Sequence, residues 1–306
     1  MRQVRSSALP APAGRRKKIS KNVPQIILNA VIILLLFLMI FPLAMSVWNA
    51  FKLDYQFEDT MWYPTFPLNI YNLFDAFAQL KEYILNTVVV GIAGGGGLLL
   101  VAGLSAYAFA RIDFPGRRFF FSMVIALLMM PGVLTLIPTI QLYKDFGLLN
   151  NILKIFGYQG KVNWFSQENA IWSVLIVLIW HGFGWGMLIY YTGIKNIDPV
   201  LYEAASIDGA DWKTTFFKIT LPLMKPVIQI NVTMAIISAL KQMETVYLLT
   251  NGGPGDSTQF AANYLYQQAF KSFRYGYGNA IGVVFIIICI LVTVGLNTIF
   301  RDKNTD

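Results

Sequence analysis

The sequence predicts an all-α membrane protein with six transmembrane helices and both termini in the cytoplasm. Three observations carry this: six apolar runs of membrane-spanning length, a small charged fraction, and a one-sided distribution of basic residues. The 306 residues are 56% apolar, 15% aromatic and only 13% charged, with a mean hydropathy of +0.55. An ordinary soluble domain carries about 25% charged residues. A conventional soluble enzyme is therefore excluded, because there is too little charge to cover its surface. One cysteine, Cys289, cannot form an internal disulfide, and one histidine, His181, cannot build a His-rich metal site. The net charge of +8 suggests nucleic acid only until the charges are located: seven of the 24 basic residues precede residue 26, and most of the rest flank apolar runs.

A transmembrane helix needs about 20 mostly apolar residues, and the runs 26–47, 84–110, 119–143, 171–193, 227–249 and 279–300 meet that requirement. The first follows Arg15-Arg16-Lys17-Lys18 and Lys21, like the start of a signal peptide. Its apolar core exceeds the roughly 7–15 residues of a cleavable signal, which predicts a retained helix. With the N-terminus inside, cytoplasmic segments hold sixteen Lys and Arg, the opposite side holds seven, and Lys241 falls within a span. That is the bias of the positive-inside rule, and Arg111, Arg117 and Arg118 in the second-to-third connection show it on their own. The expected organisation is a disordered basic tail (1–25) against anionic lipid, a membrane domain (26–300), and a cytoplasmic tail (301–306). Two long outer segments, 48–83 and 144–170, either rest at the lipid–water boundary, as the aromatics of the first suggest, or receive an extracytoplasmic partner.

Within the second span, Gly94–Gly97 let neighbouring backbones approach closely or, alternatively, make a flexing point. Pro131 and Pro138 are expected to kink the third span. The fifth span is the most polar, with Asn231, Ser238, Lys241, Gln242, Glu244 and Thr245. Asn231, Ser238, Lys241 and Thr245 are spaced 7, 3 and 4 apart, which places them on one helical stripe. Two readings stand. Lys241 and Glu244 neutralise each other near the membrane boundary, or Asn231, Ser238, Lys241, Gln242 and Glu244 line a passage for a hydroxyl-rich or anionic solute. His181 and Trp185 read as packing and boundary residues.

The segment 196–222 predicts a cytoplasmic helix–turn–helix. Asp198 is a suitable N-cap and Pro199 a favoured first residue, giving a helix to Ser206 or Ile207. Gly209 permits a reversal, Asp211 caps a second helix from Trp212 to about Lys218, and Pro222 ends it. Leu201, Tyr202, Ile207, Trp212, Phe216 and Phe217 are too apolar for a free loop, so either a soluble partner or the protein's own helices cover them.

The pattern Glu203-Ala204-Ala205, three residues, Gly209, nine residues, Ile219, one residue, Leu221-Pro222 resembles the EAA loop of ABC importer permeases at every fixed position. The resemblance to maltose-type carbohydrate uptake permeases extends to Leu104-Ser-Ala-Tyr-Ala-Phe-Ala-Arg111, Phe114-Pro-Gly116, Met130-Pro-Gly132, Pro138, Gly147-Leu-Leu-Asn150 and Tyr275-Gly-Tyr277. The loop Asn251-Gly-Gly-Pro-Gly-Asp-Ser257 departs from the maltose-G-like subunit and is similar to its glycerol-3-phosphate-A-like partner. The resemblance implies a type I ABC importer permease fold in a bacterial inner membrane, pairing with a second homologous permease and two ATP-binding subunits. An extracytoplasmic solute-binding protein would deliver a sugar or oligosaccharide. It implies an ATPase-coupling role for Glu203, Ala204, Ala205, Asp208, Gly209, Ile219, Leu221 and Pro222. ATP and Mg would be used by the partner ATPase and no cofactor bound by this chain, which lacks a Walker-A sequence. The alternative, a self-contained secondary transporter, would need intramembrane carboxylates and inverted repeats; only Glu244 offers the first, and no repeat is evident. A membrane-embedded enzyme would need clustered His, Cys or carboxylates, which the spans lack.

Overall fold

Residues 22–144 and 147–300 are described by the computed structural model, and among them every regular element is helical. The basic tail through residue 21 and the tail 301–306 lie outside the described residues. The helices are α1 (Asn22–Asn49), α2 (Asp54–Thr60), α3 (Tyr71–Arg111), α4 (Arg117–Leu128), α5 (Gly132–Lys144), α6 (Leu148–Ile155), α7 (Ala170–Lys195), α8 (Pro199–Ile207), α9 (Trp212–Thr215), α10 (Leu221–Leu223), α11 (Lys225–Leu240), α12 (Glu244–Leu249), α13 (Ala261–Tyr266) and α14 (Tyr275–Phe300). Wider helical turns at Phe216–Thr220 and Gln267–Lys271 extend α9 and α13. Helix α3 is central, with α7, α11 and α14 packed around it, while α1 packs on α14 and is exposed along most of its length.

Four of the described helices are long and apolar enough to cross a membrane: Gln25–Asn49, Tyr71–Arg111, Ala170–Lys195 and Tyr275–Thr298. A fifth is reached if Trp212–Leu223 and Lys225–Leu240, bent by 67°, count as one span. The six apolar runs differ from these helices at three places. Helix α3 begins at Tyr71 rather than at residue 84, because Leu73, Ala76, Leu80 and Tyr83 recur at helical spacing and three of them are buried. The third run is split into α4 and α5 around Met129–Pro131, where Pro131 lacks an N–H and disfavours helical backbone in the residue before it. The fifth run is split into α11 and α12 at Lys241–Met243.

At the end of the bundle opposite α8, the connecting segments are tied down by specific side chains. The Trp48 indole and Asn49 amide both donate to the Met61 carbonyl, at 3.3 and 3.1 Å. Lys52 is fully buried and donates to the carbonyls of Thr60 and Tyr63; its burial pushes the ammonium pKa below the usual lysine value. Asp54 accepts from the Gly276 and Tyr277 amides at 2.9 and 3.4 Å, closing the N-terminus of α14, and Phe57 stacks on Tyr275 at 5.1 Å. Asn150 on α6 holds residues 162–164 with three bonds of 3.0–3.2 Å. The loop 251–257 turns through four left-handed residues, Asn251, Gly252, Gly255 and Asp256, and its Asp256 accepts from the Tyr83 hydroxyl at 3.4 Å.

Candidate functional site

Two features stand out, a hairpin at one end of the bundle and a cavity in its middle. The hairpin is built from local capping chemistry. The Asp198 carboxylate accepts from the Val200 amide at 3.0 Å with Pro199 at the first helical position. At the far end of α8, Gly209 has φ +72°, the Gly209 amide donates to Ser206 and the Ala210 amide to Ala205. This is the bond pair of a Schellman turn, and it requires a left-handed residue after the helix. The Asp211 carboxylate then accepts from the Thr214 amide at 2.9 Å, starting α9. Pro222 does not end this second arm, as the sequence suggested. It stands at the second position of a new turn, where no amide bond is required, after the wider turn Phe216–Thr220. The chain then bends by 67° into α11.

The hairpin buries one side and exposes the other. Tyr202 and Ala205 are buried, and the Tyr202 hydroxyl pairs with the Thr220 hydroxyl at 3.1 Å, bridging the two arms. Glu203, Ala204, Asp208, Gly209 and Pro222 are exposed, while Ile219 and Leu221 are half-buried. Among the described residues the Glu203 carboxylate has no hydrogen-bond or ion-pair partner within the chain. Val200, Ile207, Trp212 and Phe217 are 62, 86, 63 and 61% exposed, so the chain's own helices leave this apolar surface uncovered.

Hydrogen bonds from the Thr214 hydroxyl and amide hold the Asp211 carboxyl below its ordinary range. A depressed carboxylate pKa stabilises the fold above the unfolded value and ceases to do so as pH falls through the folded one. Hydrogen exchange at the Thr214 amide is therefore expected to accelerate on acidification through that range. In Asp211→Asn, whose amide oxygen caps without ionising, this pH step should disappear; persistence of the step would assign it to another group.

The cavity, of about 490 Å³, lies among α3, α7 and α11. Glycines line much of it: Gly91, Gly94 and Gly95 from α3, Gly182 and Gly186 from α7. The glycine run of α3 serves close packing. Helix α3 passes through it unbroken, and a Cβ on Gly97 would collide with Ile179 and those on Gly94 and Gly95 would touch Leu175 and Ala235, while Gly96 meets open space. Polar groups converge from two sides: His181 on α7, and Asn231, Ser238 and Gln242 along and just beyond α11, with the Trp185 indole beside them. The His181 Nε2 is buried with no hydrogen-bond partner. Amides, a hydroxyl, an imidazole and an indole are neutral hydrogen-bonding groups beside apolar surface, the furnishing of a small-molecule site.

Three of the five residues predicted from the fifth span, Asn231, Ser238 and Gln242, thus share the cavity, whereas Lys241 and Glu244 lie outside its lining. No ion pair joins those two among the described residues. Lys241 stands at the C-terminal end of α11 and Glu244 in the first turn of α12, so each faces the helix-dipole end of opposite sign. Sequence reasoning had set His181 and Trp185 aside as packing residues. Their i, i+4 spacing next to Gly182 and Gly186 was the available signal.

Residues 99–304 match the family described as binding-protein-dependent transport system inner membrane component. The chain is 35% identical over 163 residues to the sulfoquinovosyl glycerol transport system permease protein SmoG of Agrobacterium fabrum, covering 53% of each. It is 36% identical over 151 residues to the arabinooligosaccharides transport system permease protein AraP of Bacillus subtilis, covering 49% of this chain and 48% of that one. The chain thus spans about half the length of these curated relatives. Its fold is similar to a chain in the crystal structure of a bacterial ABC transporter involved in the import of the acidic polysaccharide alginate. The TM-score is 0.69 at 20% identity, over 95% of this chain and 100% of that one.

Proposed function

The chain belongs to the family of binding-protein-dependent transport system inner membrane components, and from that premise we propose that it is the permease subunit of an ABC importer for a saccharide. The observation that carries this reading is the hairpin, whose exposed side joins the unpartnered Glu203 to uncovered apolar residues. An ATPase subunit is its occupant: Glu203 reaches polar groups on that subunit, and Gly209 keeps the turn tight. The coupling surface comprises Glu203, Ala204, Ala205, Asp208, Gly209, Ile219, Leu221 and Pro222. Two such ATPases bind ATP and Mg, a second homologous permease supplies the other half of the passage, and a solute-binding protein docks on the outer face. The membrane domain 26–300 crosses the bilayer six times, counting the split third and fifth runs as one crossing each, with the tails 1–25 and 301–306 in the cytoplasm.

The saccharide class follows from the cavity and from the kinds of solute named for the relatives. Neutral amide, hydroxyl and indole groups suit a hydroxyl-rich ring. Asn231→Leu and Gln242→Leu are each expected to lower uptake of the cognate saccharide about tenfold, since an unmatched buried hydroxyl costs on the order of 1–3 kcal/mol. Lys241→Ala should change it less, because its ammonium lies outside the cavity. Uptake by the two leucine variants equal to that of the parent would remove the cavity from the pathway.

The test of the whole reading is reconstitution. The chain copurified with its companion permease and ATPases should import saccharide into vesicles only with ATP and the binding protein. Transport by the chain alone would favour the self-contained secondary transporter instead.

A further inference from the structure

Helix α3 runs without a break from Tyr71 to Arg111, and its last residue meets the hairpin. The Arg111 guanidinium carbon lies over the Tyr202 ring, 3.5 Å from its centroid. One turn earlier on the same face, the Tyr107 ring meets Phe216 edge-on at 5.0 Å. The stripe Tyr107–Arg111 therefore touches both arms of the hairpin, α8 through Tyr202 and the second arm through Phe216. The Tyr202–Thr220 hydroxyl pair closes the triangle. Asp113, the nearest carboxylate in sequence, is engaged by Arg117 at 2.5 Å, and among the described residues no ion pair involves Arg111. Tyr202 itself is only 7% exposed and adjoins Glu203.

Two walls of the cavity meet the hairpin differently. Helix α11 continues covalently from it through the 67° bend. Helix α3, which contributes Gly91, Gly94, Gly95 and Leu98 to the same cavity, is joined to it only by side-chain contacts. We infer that Arg111 is a positioning residue that carries displacement of the hairpin into α3 through its stack on Tyr202, so that both walls of the cavity move together. A guanidinium is suited to this, since it can stack on an aromatic face and is less strongly hydrated than the compact ammonium of a lysine.

The inference rests on the importer reading, and the test separates the two. The complete transporter is reconstituted in vesicles, and saccharide imported per ATP hydrolysed is measured for the parent, Arg111→Met, Tyr202→Leu, their combination and Arg111→Lys. Arg111 is exposed, so each single apolar variant should lower that ratio by about two- to fivefold, the scale of one exposed cation–aromatic contact. The double variant should fall no further than either single one, and Arg111→Lys should lie between. A merely structural role would lower yield and melting temperature while leaving the ratio intact. A parental ratio in Arg111→Met, or losses that multiply in the double variant, overturns the inference. Should Arg111→Met fail to assemble, Arg111→Lys decides in the same way: a reduced ratio at parental melting temperature supports the inference, and a parental ratio overturns it. No ATP-driven import by the parent would instead overturn the importer reading.

Discussion

Replacing Glu203 by lysine is expected to abolish coupled uptake, lowering it by about a hundredfold or more, while the chain still inserts and folds. The carboxylate is exposed and bonds to nothing among the described residues, so the reversal disturbs no contact there. Its cost falls on the joint with the ATPase. Breaking a hydrogen-bonded charge at an interface costs on the order of 2–5 kcal/mol, and reversing it adds repulsion. Uptake by the assembled complex and the proteolysis pattern of the hairpin should be measured together. Parental uptake from Glu203→Lys would show that the hairpin docks through something other than this side chain. Loss of uptake with an altered proteolysis pattern would show the effect to be internal.

Gly276→Ala is expected to be the most destabilising small substitution at the end opposite the hairpin. A Cβ there would collide with the Lys52 carbonyl oxygen, with the carbonyl carbon at 3.1 Å and the Asp54 carboxylate at 3.3 Å. The obstacle is backbone, held by the Asn72 amide that donates to the same carbonyl at 2.8 Å, so it cannot swing aside as a side chain would. Overpacking of this kind costs about 1–3 kcal/mol. The change should also loosen the Asp54 cap on α14 and unstack Phe57 from Tyr275. Thermal unfolding of the purified chain in detergent measures the first effect, and aromatic circular dichroism the second. An unchanged melting temperature would mean that the approach of α14 to the α1–α2 turn is not tight in solution.

The hairpin was largely legible in the sequence because its chemistry is local. Asp198, Pro199, Gly209 and Asp211 each act within four residues of themselves, and the structure places all four as their residue types require. Pro222 misled because a proline ends a helix only where an amide bond is needed, and the wider turn before it removes that need. The break at Pro131 announced itself, but the break after Leu240 carries neither proline nor glycine, only a cluster of polar residues. The outer part of α3 forms no membrane-length apolar run because it is amphipathic: Asp75, Lys81 and Glu82 interrupt the hydropathy while Ala76 and Leu80 are fully buried. The cavity and the Arg111–Tyr202 stack join residues far apart in the chain, and no local pattern specifies such partners. The family motifs, by contrast, prove to mark contact points: Asn150 holds its loop, Gly276 lets α14 approach, and Arg111 seats the hairpin.

Helix α3 has 41 residues, which at 1.5 Å per residue is a rod about 60 Å long. Its neighbours α4–α5 and α11–α12 are broken partway, whereas α3 has no break along its length. That makes it the axle of the bundle. A tilt imposed at one surface reaches the other in the same instant and with opposite sense, like the two ends of a seesaw. In the importer proposed above, opening on one side and closing on the other are then expected to be a single event.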